Sequence, residues 1–172
     1  PSAVAIDFVD VGMPNNDYSL SNVTADVNGV AITSIEESPY VTPGVALGLG
    51  GNKIAPGAKG TVNVSVSGIG RMVYKTNKVQ DVQEAYASFE FSPNSFGSEY
   101  VSGSTDMTIT LHLPPGLNTE EPRWFTPQNW PGGADPVSGY DDQGSVFYRW
   151  QAPNANSYTQ YIFGSAFPAR LV

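Results

Sequence analysis

The side chains able to do chemistry are few, and they cluster late in the chain. His112 is the only histidine and there is no cysteine. A Ser–His–Asp triad needs its imidazole oriented by a carboxylate and touching a nucleophile. Asp106 shares the polar face of the His112 segment, but six residues along a strand is roughly 20 Å. No Gly-x-Ser-x-Gly elbow exists, so the nucleophile has no evident mounting. Thiol catalysis and thiolate zinc are excluded outright, and hydrolytic zinc with one imidazole would rest on carboxylates almost alone. Carboxylate chemistry asks for less, because a glycosidase needs two acids some 5–10 Å apart across a cleft. Glu120, Glu121, Asp135, Asp141 and Asp142 all fall between Pro114 and Gln143. Nothing in the sequence marks one of them as buried or paired.

Two acidic clusters invite a calcium reading, since hard cations take several oxygens from a flexible loop. One is Asp135 with Asp141 and Asp142; the other is Asp10, Asn15, Asn16 and Asp17. Neither has EF-hand spacing, and turn-forming Asx residues account for both. The expectation is therefore no cofactor, with calcium as the alternative. The loop aromatics give a sharper signal. Trp124, Trp130 and Tyr140 stand among prolines and glycines in a segment expected to run over the surface. Exposed aromatic platforms hold sugar rings, whose C–H faces are apolar and whose rims are polar. The competing reading folds the loop back and buries its own tryptophans as a satellite core. At least one of the pair should be buried, because exposing both leaves a large apolar patch uncovered.

The elements that must carry these residues read as short strands. Eighteen glycines and 14 prolines fill about a fifth of 172 residues, above the usual share of about 12%. Residues 4–11 alternate Val4, Ile6 and Phe8 with Ala5, Asp7 and Val9, as a first strand buried on both faces. Val23–Val27 and Val30–Ile32 flank Asn28-Gly29, a pair suited to a two-residue type I′ turn. Val45–Leu49 follows Pro43. Val62, Val64 and Val66 set a dry face against Asn63 and Ser65. Between Val79 and Glu84 the chain makes one helical turn or an irregular excursion. Ala85, Ala87, Phe89 and Phe91 then share a face. Residues 105–113 alternate most cleanly, with Met107, Ile109, Leu111 and Leu113 inward, and are expected to form a central strand. Val146, Tyr148 and Trp150 alternate with Phe147 and Arg149, and a last strand runs Tyr158–Phe163. The count is eight to ten strands around one long loop, 114–143, in a single domain over 1–172.

Charge narrows the partners. Eight Lys and Arg against 16 Asp and Glu leave −8, the wrong field for nucleic acid or an anionic membrane. Three of the eight cations, Arg71, Lys75 and Lys78, sit together and leave no basic stripe elsewhere. Pro1-Ser2 at one end and Arg170-Leu171-Val172 at the other suggest a piece of a longer protein, which would carry any targeting or membrane segment itself.

With the strands placed, Ser104–Gly116 ends in a Pro114-Pro115-Gly116 corner; a long loop follows, then Val146-Phe147-Tyr148-Arg149-Trp150 and Tyr161–Pro168. This order resembles the immunoglobulin-like ectodomains of uncharacterised, membrane-anchored bacterial proteins, in outline over 1–172. It is similar more loosely to the N-terminal β-domain of zinc aminopeptidases, but the zinc-binding His-Glu-x-x-His helix is absent. The resemblance implies an immunoglobulin-like antiparallel β-sandwich and an extracytoplasmic, non-catalytic adhesion, spacer or sensory module. It transfers no catalytic residue. Its partner would be a protein or a glycan. A carbohydrate-binding module using Trp124, Trp130 and Tyr140 is the alternative function, and a carboxylate glycosidase a remoter one.

Overall fold

The structure is a computed structural model describing residues 4–77, 79–93 and 104–172; Pro1, Ser2 and Lys78 lie outside the described residues. Among the described residues there are thirteen β-strands, three short 3-10 turns and no α-helix. Every strand pairing is antiparallel. The chain, read above as one domain, gathers into two compact units, Pro1–Met72 and Val73–Val172.

The first unit holds β1 (Phe8–Gly12), β2 (Val23–Val27), β3 (Val30–Ile32), β4 (Ser34–Glu37), β5 (Gly44–Gly48) and β6 (Val62–Val66). They form two three-stranded sheets, ordered β1-β5-β4 and β3-β2-β6. Val23, Val27, Ile32, Val45, Leu47 and Leu49 make its core, with Val62, Val64 and Val66 packed against it. The Asn28-Gly29 hairpin is as expected: φ is +52° and +81°, and Val27 pairs with Val30. Asn28 reinforces it by accepting the Thr61 amide on its side-chain oxygen. Residues 4–11 depart from expectation. They are not buried on both faces, because β1 is an edge strand and Phe8 is 49% exposed. Phe8 stacks on Tyr40 at 6.2 Å instead of entering the core.

The second unit holds β7 (Tyr74–Thr76), β8 (Tyr86–Phe91), β9 (Thr105–His112), β10 (Arg123–Phe125), β11 (Val137–Tyr140), β12 (Val146–Ala155) and β13 (Phe163–Pro168). One sheet is ordered β11-β12-β9 and the other β10-β13-β8-β7. Ile109, Leu111, Val146, Tyr148 and Trp150 from the first share one core with Ala87, Phe163 and Phe167 from the second. Phe89 and Phe91 pack against that core, as the period-2 reading from Ala85 onward requires. Two sheets closing on a common core is the arrangement of a β-sandwich.

Three expectations are corrected here. β9 is an edge strand, and β12 lies between it and β11. Alternation tells which face of a strand is dry, not how many neighbours it has. The last strand starts at Phe163, leaving Tyr158–Ile162 in a connection, while the segment between Val79 and Glu84 takes the irregular one of its two expected forms. The loop 114–143 is not continuous, since it contains β10 and β11. β12 tolerates Pro153 because its register shifts between Ala152 and Ala155, where no ladder amide is required.

Candidate functional site

The residues singled out for chemistry gather around the β11–β12–β9 sheet. β11 and β12 are joined by Asp142-Gln143-Gly144, with the Asp141 amide donating to the Ser145 carbonyl at 2.9 Å and the Gly144 amide to the Asp141 carbonyl at 3.0 Å. Gly144 has φ +78°, the left-handed residue that ends a three-residue hairpin loop. The Asp141 side chain accepts the Gln143 amide at 2.9 Å and the Ser145 amide at 2.8 Å through Oδ1. Oδ2 lies 2.8 Å from His112 Nδ1 on β9. The His112 hydrogen bond, then the Ser145 amide, hold the Asp141 carboxyl below its usual range. One aspartate thus ties a hairpin turn to the neighbouring edge strand but one.

His112 therefore does have an orienting carboxylate, but it is Asp141 and not Asp106. The sequence alone did not suggest it, because the link depends on β12 carrying β11 on one side and β9 on the other. The pair borders a shallow depression of about 550 Å³ lined by His112, Leu113, Pro115, Asp141, Asp142, Gln143 and Ser145. Among the described residues no serine or threonine hydroxyl contacts the imidazole. The arrangement orients the His112 ring through the Asp141 carboxylate.

Outside the core, the same sheet carries an aromatic and cationic row. Phe147 pairs with Gly139 and His112 across its two neighbours. Its ring fills the space a Cβ at Gly139 would enter, 3.4 Å away. The Arg149 guanidinium stands 5.1 Å from the Phe147 ring centre, and the His112 ring stands 6.3 Å from it. Such a contact is worth about 0.5–1 kcal/mol at an exposed site.

The three aromatic candidates part company. Trp130 is 7% exposed and meets Tyr161 and Phe163 edge-on at 5.1 and 5.0 Å. It belongs to the core, so as a sugar platform it is corrected. Its loop folds back and buries it because Gly132 allows close approach: a Cβ there would stand 2.6 Å from Trp130 Nε1 and 2.2 Å from the Gln151 carbonyl oxygen. Trp124, on β10, is 40% exposed and tilts against Tyr148 at 5.4 Å. Tyr140, at the end of β11, is 53% exposed. Trp150 is buried and donates from Nε1 to Thr126 Oγ1 at 2.7 Å. Tyr148 is pushed up to about 12 chiefly by burial and takes no part in proton transfer near neutrality.

Of the remaining acids, Glu121, Asp10 and Asp17 are engaged in structure. Glu121 accepts the Asn118 amide at 2.8 Å and pairs with Arg170, which also grips Glu84 at 2.9 Å. The Asn118 amide and then Arg170 lower the Glu121 carboxyl, the reverse of what a general acid requires. Asp10 accepts the Ser38 hydroxyl at 2.5 Å, Asn15 accepts the Asp17 amide at 2.6 Å, and Asp17 pairs with Arg71 at 2.7 Å. Asp141 in one cluster considered for calcium, and Asp10, Asn15 and Asp17 in the other, are thus engaged in turns, hydrogen bonds and an ion pair. Among the described residues no three His, Asp or Glu side chains converge as a cation site.

Comparison with protein-family models, curated proteins and solved structures finds no match to this chain.

Proposed function

We propose that this chain is a non-catalytic, extracytoplasmic module of a larger cell-envelope protein, built as immunoglobulin-like β-sandwich and serving in adhesion, spacing or sensing. The observation that carries this reading is that the chain forms two compact all-β units, each with its own core. Each unit folds by burying its own sheets. The absence of cysteine and the charge of −8 fit a soluble, self-repelling surface. Attachment to a membrane would come through segments outside this chain. Protease treatment of intact cells tests the idea. A tagged copy should be cleaved without lysis; a tag protected until lysis and recovered with cytosolic proteins overturns it.

A second reading, glycan binding, is favoured by one observation. Trp124 and Tyr140 stand half-exposed on β10 and β11, each an edge strand of its sheet. Titration with polysaccharides would then shift Trp124 fluorescence saturably, and Trp124→Ala would abolish the shift while the fold survives. No response across a glycan array removes this reading.

A further inference from the structure

The sheet edges of this protein differ in length. Among the described residues β1, β3, β4, β6, β7, β10 and β11 are edge strands of three to five residues. Short edges are a common protection against unwanted pairing. β9 is also an edge, yet it has eight residues, Thr-Asp-Met-Thr-Ile-Thr-Leu-His. It has no lysine, proline or glycine, and from Met107 to His112 its register with β12 is unbroken. Among the described residues Asp106 is its one acidic side chain and no further strand pairs with it.

The free polar groups can be assigned. The Leu113 amide donates to the Val146 carbonyl at 2.9 Å. In an antiparallel ladder alternate residues bond to the same neighbour. Leu111, Ile109 and Met107 therefore turn their N–H and C=O toward β12. Asp106, Thr108, Thr110 and His112 turn theirs toward the open side. Asp106, Thr108 and His112 are exposed, and Thr110 is half-buried.

The segment is also nearly its own mirror about Ile109. Laid antiparallel on a second copy, Asp106 meets His112, Thr108 meets Thr110, Met107 meets Leu111, and Ile109 meets Ile109. Thr–Thr pairs are favourable across strands, an imidazole facing a carboxylate can hydrogen-bond to it, and the apolar residues extend the core face without a break. The paired residues Thr108 and Thr110 are the ones whose backbone groups face outward, as a hydrogen-bonded pair requires. We propose that β9 is a self-association strand, on which a second copy of this chain pairs antiparallel about Ile109, joining two three-stranded sheets into one of six. The interface is isologous, so it closes at two copies.

Sedimentation of the full chain at near-physiological salt, where repulsion between two −8 chains is screened beyond about 8 Å, should show the mass rising from 18.3 kDa toward twice that value with concentration. Thr108→Pro removes an N–H that the monomer's own ladder does not use, so it should raise the dissociation constant more than tenfold while the melting temperature holds. Asp106→Lys with Thr108→Lys tests the same edge without touching the backbone. It should disrupt pairing even though it lowers the overall charge from −8 to −5. Mixed chains carrying Thr108→Cys and Thr110→Cys should cross-link under oxidation, while Asp106→Cys alone should not, its two copies lying at opposite ends of the junction. A monomer at every concentration overturns the proposal. So does a dimer that tolerates both edge variants, or one that cross-links through Asp106→Cys.

Discussion

Replacing each loop tryptophan by alanine separates a packed loop from an exposed platform. All three tryptophans of the chain fall within Val73–Val172, so their fluorescence reports unfolding of that unit alone. Trp130 is nearly fully buried and meets two rings edge-on. Truncating such a side chain costs about 3–5 kcal/mol, with each ring contact adding about 0.5–1.5 kcal/mol of specific interaction within that figure. Trp130 Nε1 has no hydrogen-bond partner among the described residues, so deletion also returns a desolvation cost of about 1 kcal/mol. The net expectation for Trp130→Ala is a loss of about 3 kcal/mol. Trp124 is 40% exposed and keeps one ring contact, so Trp124→Ala should cost about 1–1.5 kcal/mol. With a urea slope of about 1.5 kcal/mol per molar, the midpoints should fall by about 2 M and under 1 M respectively. Acrylamide should quench Trp124 readily and spare Trp130 and Trp150. Equal midpoint shifts, or a larger one for Trp124→Ala, would refute the assignment of Trp130 to the core.

Ile109→Ala should cost about 2–4 kcal/mol because Ile109 is buried in the sandwich core, whereas Thr108→Ala on the outer face should stay within about 0.5 kcal/mol; equal effects in urea melts would place the β9 register one residue off. Asp141 has a carboxyl held below its unfolded value by His112 and the Ser145 amide, so its contribution is present above about pH 4 and is lost as pH falls through the folded value. The gap in melting temperature between wild type and Asp141→Ala should therefore close on acidification, and parallel curves from pH 6 to pH 2.5 would contradict the pairing. Gly29→Ala places a Cβ at φ +81° in the β2–β3 hairpin and should cost about 1 kcal/mol by calorimetry; no change in the melting transition would argue against the type I′ turn.

Much of the local structure was legible because the signals are local. Asn28-Gly29 specifies its turn through two residues that accept positive φ, and Val62, Val64 and Val66 need only the period of two to show their dry face. The order of strands is another matter. β9 alternates more cleanly than β12, yet β12 is the inner strand; Phe147 on the outer face of β12 blurs its alternation, and alternation does not report how many neighbours a strand has. Phe147 faces outward because Gly139 opposite leaves room for its ring and Arg149 covers it, a three-residue arrangement drawn from two strands. The long loop hid β10 and β11 for a related reason. β10 has only three residues, too few to show a period, and is fixed by Ser165 Oγ donating to the Arg123 carbonyl at 2.8 Å.

His112 and Asp141 show how far a site can stand from its sequence signal. The two are 29 residues apart and meet at 2.8 Å only because β12 lies between their strands. A search along β9 finds Asp106, on the correct face and about 20 Å away. A search along the turn finds Asp141 as an Asx residue, which it is, with Oδ1 committed to two amides. Its second oxygen is what the turn leaves over, and His112 takes it. The same histidine ends the edge of β9, so the hairpin turn fixes its ring at one nitrogen. His112 thus links a hairpin turn to an edge strand, and it stands at the last outward site of β9, where the proposed pairing sets Asp106 of a second copy opposite it.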